Sequence, residues 1–428
     1  MLVIWKKSQN ADALASSLWR RECGNPWVIQ RRFMARERKR KRIRQVSFDV
    51  MISREKHVRQ ALWLKDLLVT RPGHTISMID FREEVKNLGM RVRRLYYLLE
   101  YYDTLFQTRV DRAKVEWIEL GEDGRRIVEL ERRLMAEYEP CLVENLRKLL
   151  MMSEGEKICL KRIALLREPL GLPHDFEQNL VHKYPQYFDV VIAKDKKYRD
   201  LQPFLKLTSW DPLLAISRRE ADAEESERDP HSFRMRFPGV KFVRGRDAQF
   251  LKSFQMLEFP SPYDPNHGYP KLSREAVKRA VAVIHEFLCL TQESKALVDS
   301  IAEIRRETGI PKKIGELICR HPGIFYLSWK GALARHPHME VVYLKEAYSK
   351  PYEGERLKAA RLLRKGPLVQ VKEAMALTMW HADLAYDKRH GTDCFLEGRQ
   401  FPMITYDAFE STFQSELYRE QKIKYENL

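Results

Sequence analysis

Residues 146–191 read LRKLLMMSEGEKICLKRIALLREPLGLPHDFEQNLVHKYPQYFDVV. An apolar, helix-like run ends at Leu149-Leu150. A polar break follows, then an amphipathic stretch, Gly171, a second amphipathic stretch, and Phe188 at the head of a β-like run. Gly171 lies 22 residues after Leu149 and 17 before Phe188. The same order occurs twice more. Leu67 to Gly89 is 22 residues and Gly89 to Phe106 is 17; Phe287 to Gly309 is 22 and Gly309 to Phe325 is 16. A fixed register of this kind marks a repeated structural unit.

Each unit therefore predicts three helices followed by a β-hairpin, at 55–122, 138–212 and 273–348. The expected fold class is mainly α with small β-hairpins (α+β), as tandem winged-helix-like units in which the third helix and the hairpin face a nucleic acid. In the first unit Ser77 is placed to cap the second helix, and Gly121–Gly124 to close the hairpin. In the second, the first helix is expected over 141–152 and the third from Pro173. In the third, Ser273 caps a long first helix. Between units two and three, residues 213–272 hold a charged linker or exposed helix (EADAEESERD, 220–229) and a basic-aromatic connector (233–259). The segment 349–428 reads as a tail, helical and partly disordered, with no assigned role.

Net charge is +17 and the isoelectric point about 9.5, which favours a polyanionic partner. The first 60 residues carry +11 of this and the other 368 carry +6. Residues 1–33 combine Arg20, Arg21, Arg31 and Arg32 with serines and few acids, the composition of an organellar transit peptide. Arg31-Arg32-Phe33 leans the reading toward a mitochondrion, with the chloroplast as the alternative. A basic arm, 34–54, would follow. Its cationic run also fits a nuclear localisation signal. No apolar run approaches the ~18–20 residues needed to span a bilayer, so no membrane insertion is expected. The six cysteines are scattered without a C-x-x-C, which reads as reduced thiols.

Candidate RNA contacts follow from charge and position. Arg36, Arg38, Lys39, Arg40, Lys41 and Arg42 in the arm would meet backbone phosphate. Arg91, Arg93 and Arg94, and Lys312 and Lys313, stand at the start of third helices, where cations oppose the helix dipole and a phosphate would offset them. Arg244 and Arg246 are the contact candidates of the connector, whose phenylalanines mostly read as core. No phosphate-binding glycine loop, H-E-x-x-H or G-x-S-x-G is present. No catalytic residue, metal site or cofactor is expected. His321, His336 and His338 lack a suitably placed cysteine, and Cys289 and Cys319 read as buried hydrophobes.

Residues 146–191, with Leu207-Thr208-Ser209-Trp210-Asp211-Pro212, resemble the plant organelle RNA recognition (PORR) domain. Leu62–Leu68 (LWLKDLL), Phe259-Pro260-Ser261-Pro262-Tyr263 and the segment from Ile310-Pro311 to Phe325-Tyr326-Leu327 extend the resemblance to about 48–350. It implies a non-enzymatic RNA-binding protein of plant organelles that promotes group II intron splicing, with intron RNA and other splicing factors as partners. It supplies no base-contacting residues. The alternatives are a winged-helix DNA-binding transcription factor and an interaction scaffold in an organellar ribonucleoprotein.

Overall fold

The computed structural model describes residues 43–87, 92–195, 200–224, 233–237, 246–264, 268–270, 273–330, 340–349 and 360–390. From Arg44 onward they belong to one compact body. The first repeat comprises α1 (Val46–Val69), β1 (Thr75–Ser77), α2 (Met78–Asn87), α3 (Val92–Tyr101), β2 (Phe106–Val110) and β3 (Glu116–Leu120). The second comprises α4 (Glu122–Met151), β4 (Lys157–Cys159), α5 (Leu160–Leu165), α6 (Arg167–Leu170), α7 (Leu180–Lys183), β5 (Phe188–Lys194) and β6 (Leu201–Leu207). Two connecting helices follow, α8 (Arg218–Glu224) and α9 (Arg246–Gln255). The third comprises α10 (Arg274–Leu290), β7 (Lys295–Leu297), α11 (Val298–Ile304), α12 (Ile314–Arg320), β8 (Phe325–Ser328) and β9 (Val341–Leu344), and α13 (Pro367–His390) ends the described chain. The architecture is α+β: helices around three small antiparallel sheets, in orders β1-β3-β2, β4-β6-β5 and β7-β9-β8.

The fixed register has a local cause. At the end of each third helix one carbonyl accepts two amides. Leu105 and Phe106 donate to Tyr102 O at 3.0 and 2.9 Å, Tyr187 and Phe188 to Tyr184 O at 3.0 and 3.1 Å, and Ile324 and Phe325 to His321 O at 3.1 Å each. The turn swings Phe106, Phe188 and Phe325 into the interior, where all three are buried. After each first helix the chain reverses through a left-handed residue, His74, Glu156 or Ser294 (φ 56°, 54° and 47°). Glycine precedes it in the first two repeats (Gly73, Gly155), and Glu293 takes that place in the third. Gly171 and Gly309 end their helical stretches at φ 76° and 72°, the left-handed geometry that glycine adopts without a Cβ clash. Ser77 Oγ accepts from the Asp80 amide at 3.1 Å and Ser273 Oγ from the Ala276 amide at 3.0 Å, the caps read from sequence. Gly89 lies outside the described residues.

Four features differ from expectation. The three-residue strands β1, β4 and β7, which complete each sheet, are additional to the three helices and hairpin expected in each unit. Three residues carry too little alternation to declare a strand. Gly121–Gly124 opens a helix rather than closing a hairpin. A Cβ at Gly121 would stand 2.2 Å from Thr104 O, and one at Gly124 2.4 Å from Leu105 O, so these glycines permit close backbone approach. Glu122 and Asp123 then favour the helix N-terminus, and α4 runs through Pro140 to Met151 instead of starting at Cys141. The third helix of the second repeat starts at Leu180, not Pro173. Asp175 O draws in the Gln178 and Asn179 amides at 2.9 Å and its carboxylate takes the Asn179 side chain, which favours turns over a continuous helix. Finally, of the two readings of 220–229, linker or exposed helix, the described part is helical through Glu224 but half-buried rather than exposed. Ser217 and Glu220 form a reciprocal capping box at the start of α8 (2.8 and 3.3 Å), and the Arg218 amide donates to Glu286 of α10 at 2.8 Å.

Burial joins the repeats unequally. The second and third share one continuous apolar core, from Leu142 through Phe287 to Leu344. The first has its own core, completed by Val371, Met375, Met379 and Ala382 of α13. α1 serves both sides. Its second half fills the first core, while Phe48, Met51 and Ile52 pack on Tyr326, Val341, Tyr343 and Tyr348 of the third repeat. Phe48 stacks on Tyr326 at 4.7 Å, and Tyr326 Oη donates to Asp49 at 2.8 Å.

Arg162 of α5 fixes the second repeat to the third. It holds Asp195, at the end of β5, through two bonds of 2.8 and 2.7 Å and also pairs with Glu307 after α11. Arg162 and Asp195 are both almost fully buried. Replacing Arg162 with Met withdraws a buried guanidinium from two carboxylates, Asp195 and Glu307, and is expected to cost about 3–5 kcal/mol, read by urea denaturation. A cost below about 1 kcal/mol would show that Arg162 does not hold this seam.

Candidate nucleic-acid interface

The sequence candidates are spread over different parts of the chain. Arg36, Arg38, Lys39, Arg40, Lys41, Arg42, Arg91 and Arg244 lie outside the described residues, as do His336 and His338. Arg93 and Arg94 fall in α3 and Arg246 opens α9; the backbone, but not the side-chain surroundings, is described there. Lys312 and Lys313 are exposed immediately before α12. Lys313 sits 3.3 Å from Glu316, which Arg320 also reaches at 2.7 Å. Hydrogen bonding to Lys313 lowers the Glu316 pKa from its ordinary value. One first-turn acid thus offsets the cost of cations at this helix start, and Lys312 is left to face solvent. At the matching place in the second repeat His174 is held by Arg167 at 2.6 Å, on turns rather than a helix end.

The connector is mainly structural. Phe233 and Phe254 are buried and stack at 6.0 Å, and Phe254 lies 4.4 Å from the His321 ring. Arg236 is consumed by the carbonyls of Lys345 (3.1 Å) and Tyr348. Lys345 in turn donates to Arg236 O at 3.1 Å and Pro322 O at 2.6 Å, and burial pushes its pKa down to about 8.

The hairpins, expected to face a nucleic acid, carry exposed side chains that were not among the residue candidates. In the first, Gln107, Thr108, Arg109 and Val110 are all exposed, and the turn adds Arg112 and Lys114. Lys114 adopts φ 60°, closed by its amide on Asp111 O at 2.8 Å. The usable signal was the run QTRVDRAK, which offers only Val110 as a large apolar side chain to bury. The residue four places after the closing phenylalanine is an exposed large apolar side chain in every repeat: Val110 (61% exposed), Ile192 (74%) and Trp329 (45%). Helix starts and hairpins that project cations and apolar groups suit a long polyanion better than a small-molecule pocket.

One buried cluster combines metal-ligand chemistry. His285, Glu286 and Cys289 of α10 bring their donor atoms within 4.8 Å of one another. Each is already committed. His285 Nε2 meets Glu346 and Nδ1 faces Cys289 Sγ at 3.8 Å, while Glu286 accepts from Tyr263 Oη at 2.7 Å and the Arg218 amide at 2.8 Å. Burial raises the Cys289 thiol above its ordinary pKa, opposite to what a nucleophile or metal thiolate needs. The group works as a packed polar network. Among the described residues no helix is long and apolar enough to cross a membrane.

The chain belongs to the plant organelle RNA recognition domain family, whose model matches residues 43–382. It is 35% identical over 349 residues to maize "Protein WHAT'S THIS FACTOR 1, chloroplastic", covering 78% of this chain and 66% of that protein, or just under two thirds of its length. It is 30% identical over 381 residues to the Arabidopsis thaliana homologue of that chloroplastic factor, covering 86% of this chain and 68% of the relative. Against "Protein WHAT'S THIS FACTOR 9, mitochondrial" of Arabidopsis thaliana the identity is 23% over 332 residues, covering 74% and 82%. No solved structure gives a significant match.

His321 makes the α12 end sensitive to acid. It is fully buried, and desolvation, then the Arg320 charge, lowers its pKa to about 4. The folded value lies below the ordinary 6.5, so this contribution is intact above about pH 6.5 and is lost as pH falls toward 4. His285 acts oppositely: burial opposes its charge, but Glu346 and Cys289 raise its pKa well above the usual range. Its stabilisation is fully present below about 6.5 and changes little between pH 6 and 4. In that interval His321→Phe is expected to flatten the fall in stability, with a difference from wild type of the order of 3 kcal/mol. Parallel pH profiles in thermal melting would refute the assignment.

Proposed function

We propose that this chain is an organellar RNA-binding protein that promotes group II intron splicing by holding the intron in its folded form. The observation that carries the reading is the match across residues 43–382 to a family defined by RNA recognition in plant organelles. The repeats act as winged-helix-like units, with third-helix starts and hairpins toward the RNA. Lys312, Lys313, Arg91, Arg93, Arg94 and the arm at 36–42 neutralise phosphate, and the intron supplies its own transesterification chemistry. The protein is not an enzyme in this reading. The relatives' organellar names support import, and Arg31-Arg32-Phe33 favours the mitochondrion over the chloroplast. Other splicing factors are further partners. Ile192 and Leu201 (74% and 71% exposed) on the second hairpin also favour a scaffold reading in which that ribbon meets protein.

Filter binding of the purified protein to organellar intron RNA across salt concentrations tests the proposal. The expected slope of log affinity against log salt corresponds to at least about four neutralised phosphates. Lys312→Glu with Lys313→Glu is expected to lower the slope by about one to two with unchanged melting. A wild-type slope near one phosphate, or tighter binding to duplex DNA than to single-stranded RNA, would overturn it.

A further inference from the structure

The three sheets repeat one register. Phe106 pairs with Leu120, Phe188 with Leu207 and Phe325 with Leu344. Side chains alternate across a strand, so the residue three places after each phenylalanine lies on the sheet face turned away from the core. That position pairs Ser328 with Val341, Val191 with Phe204 and Arg109 with Trp117. In two sheets the chain closes this outer face. In the third, Phe48, Met51 and Ile52 of α1 pack on Tyr326, Val341 and Tyr343. In the second, Phe204 and its neighbour on β4, Cys159, are both buried. The first sheet leaves the face open: Gln107 and Arg109 are exposed, and Thr75, Trp117 and Glu119 are half-buried.

Trp117 stands between Arg109 on β2 and Ser77 on β1. Directly opposed residues have Cβ atoms about 4.5–5.5 Å apart, so the Arg109 side chain starts beside the indole. Among the described residues the indole has no hydrogen bond or ring contact, and Arg109 has no ion pair. Arg112 and Lys114 at the hairpin tip are exposed and likewise without an ion pair among the described residues. Of the hairpin's acids, Asp111 accepts the Arg112 amide of its own turn at 2.7 Å, and Glu116 pairs with Val110 on the other face. Glu119 lies one row nearer the body, opposite Gln107.

We propose that the outer face of the first sheet is a single-stranded RNA site, in which one unpaired base stacks on Trp117 and the flanking phosphates lie on Arg109 and on the tip cations Arg112 and Lys114. This rests on the RNA-binding reading and gives it a place in the fold. The third sheet shows what a protein segment requires of the same face: α1 covers it through Val341 and two tyrosines. The first offers one ring among Arg109, Gln107 and Thr75, too little apolar area for a helix and the right pairing of plane and cation for a nucleotide. Sequence preference is expected to be weak, because every base has a face to stack.

The test uses the full chain and a single-stranded oligouridylate of about twelve nucleotides. Trp117→Leu, which keeps apolar bulk and loses the plane, is expected to weaken binding between about fivefold and a hundredfold. Trp117→Phe, which keeps a plane, is expected to bind within about threefold of wild type. Arg109→Glu with Arg112→Glu is expected to lower the slope of log affinity against log salt by about one to two. Ultraviolet cross-linking of the bound RNA should mark the peptide holding Trp117. Should Trp117→Leu also lower the melting transition, the slope and the cross-link decide. Wild-type protein that binds RNA while the slope is unchanged by the arginine pair and no cross-link falls in the first hairpin overturns this site and leaves the broader reading standing. Trp117→Phe as weak as a folded Trp117→Leu overturns stacking. Wild-type protein that binds no RNA removes both.

Discussion

Two carboxylates and two ammoniums, all buried but the half-buried Glu293, set the placement of the elements around them. Lys372 of α13 reaches Glu55 of α1 at 2.9 Å and Glu293 of the third repeat at 2.5 Å, and Lys295 of β7 reaches Glu293 at 2.5 Å and Glu55 at 3.8 Å. The four formal charges cancel. Burial alone would raise the Glu293 carboxyl, but Lys295 and then Lys372 hold it well below the usual range. Removing any one member would leave an uncompensated charge in a low-dielectric interior, the costly way to disturb such a set. The network thus admits one arrangement of α1, α13 and the third repeat. It also explains Glu293 at a place where the other repeats have glycine: the turn there has been recruited to join modules.

That join also fixes how α1 sits on the third hairpin. α1 spans two cores, and where it crosses the third hairpin Arg59 donates to Lys330 O, next to the exposed Trp329. Rigidity behind, with exposed side chains in front, is the usual division between scaffold and binding residue. In the second repeat the place matching Lys312 and Lys313 holds His174, bonded to Arg167, and Asp175, spent on a turn. Its merged core with the third repeat and the buried Arg162 lock fit a structural role, and its apolar ribbon differs in chemistry from the polar first hairpin.

Much of the local order was legible in the sequence. The closing phenylalanines, Gly171, Gly309 and the caps at Ser77 and Ser273 are specified by neighbours a few residues away, so their patterns survive in one dimension. What escaped depends on distant partners. Gly121 and Gly124 look like a turn until the Thr104 and Leu105 carbonyls are seen against them. Lys372 and Glu55 are 317 positions apart and carry no mutual signal in a single chain. The placement of α13 in the first core was likewise invisible, since a helical stretch does not name its partner. At the candidate interface, charge counting picked out Lys312 and Lys313, which stand exposed, and passed over the exposed Trp329, because an aromatic ending a β-like run reads as core unless its outward direction is known.

The first core draws Val58 and Leu64 from one end of the body and Met375 and Met379 from the other. A chain emerging amino end first, from a ribosome or an import channel, has no complete first core until some 300 later residues have followed. The second and third repeats can bury their shared interior sooner, because it is built from contiguous sequence. When the chain is delivered amino end first, the first core is therefore the last whose members are all present.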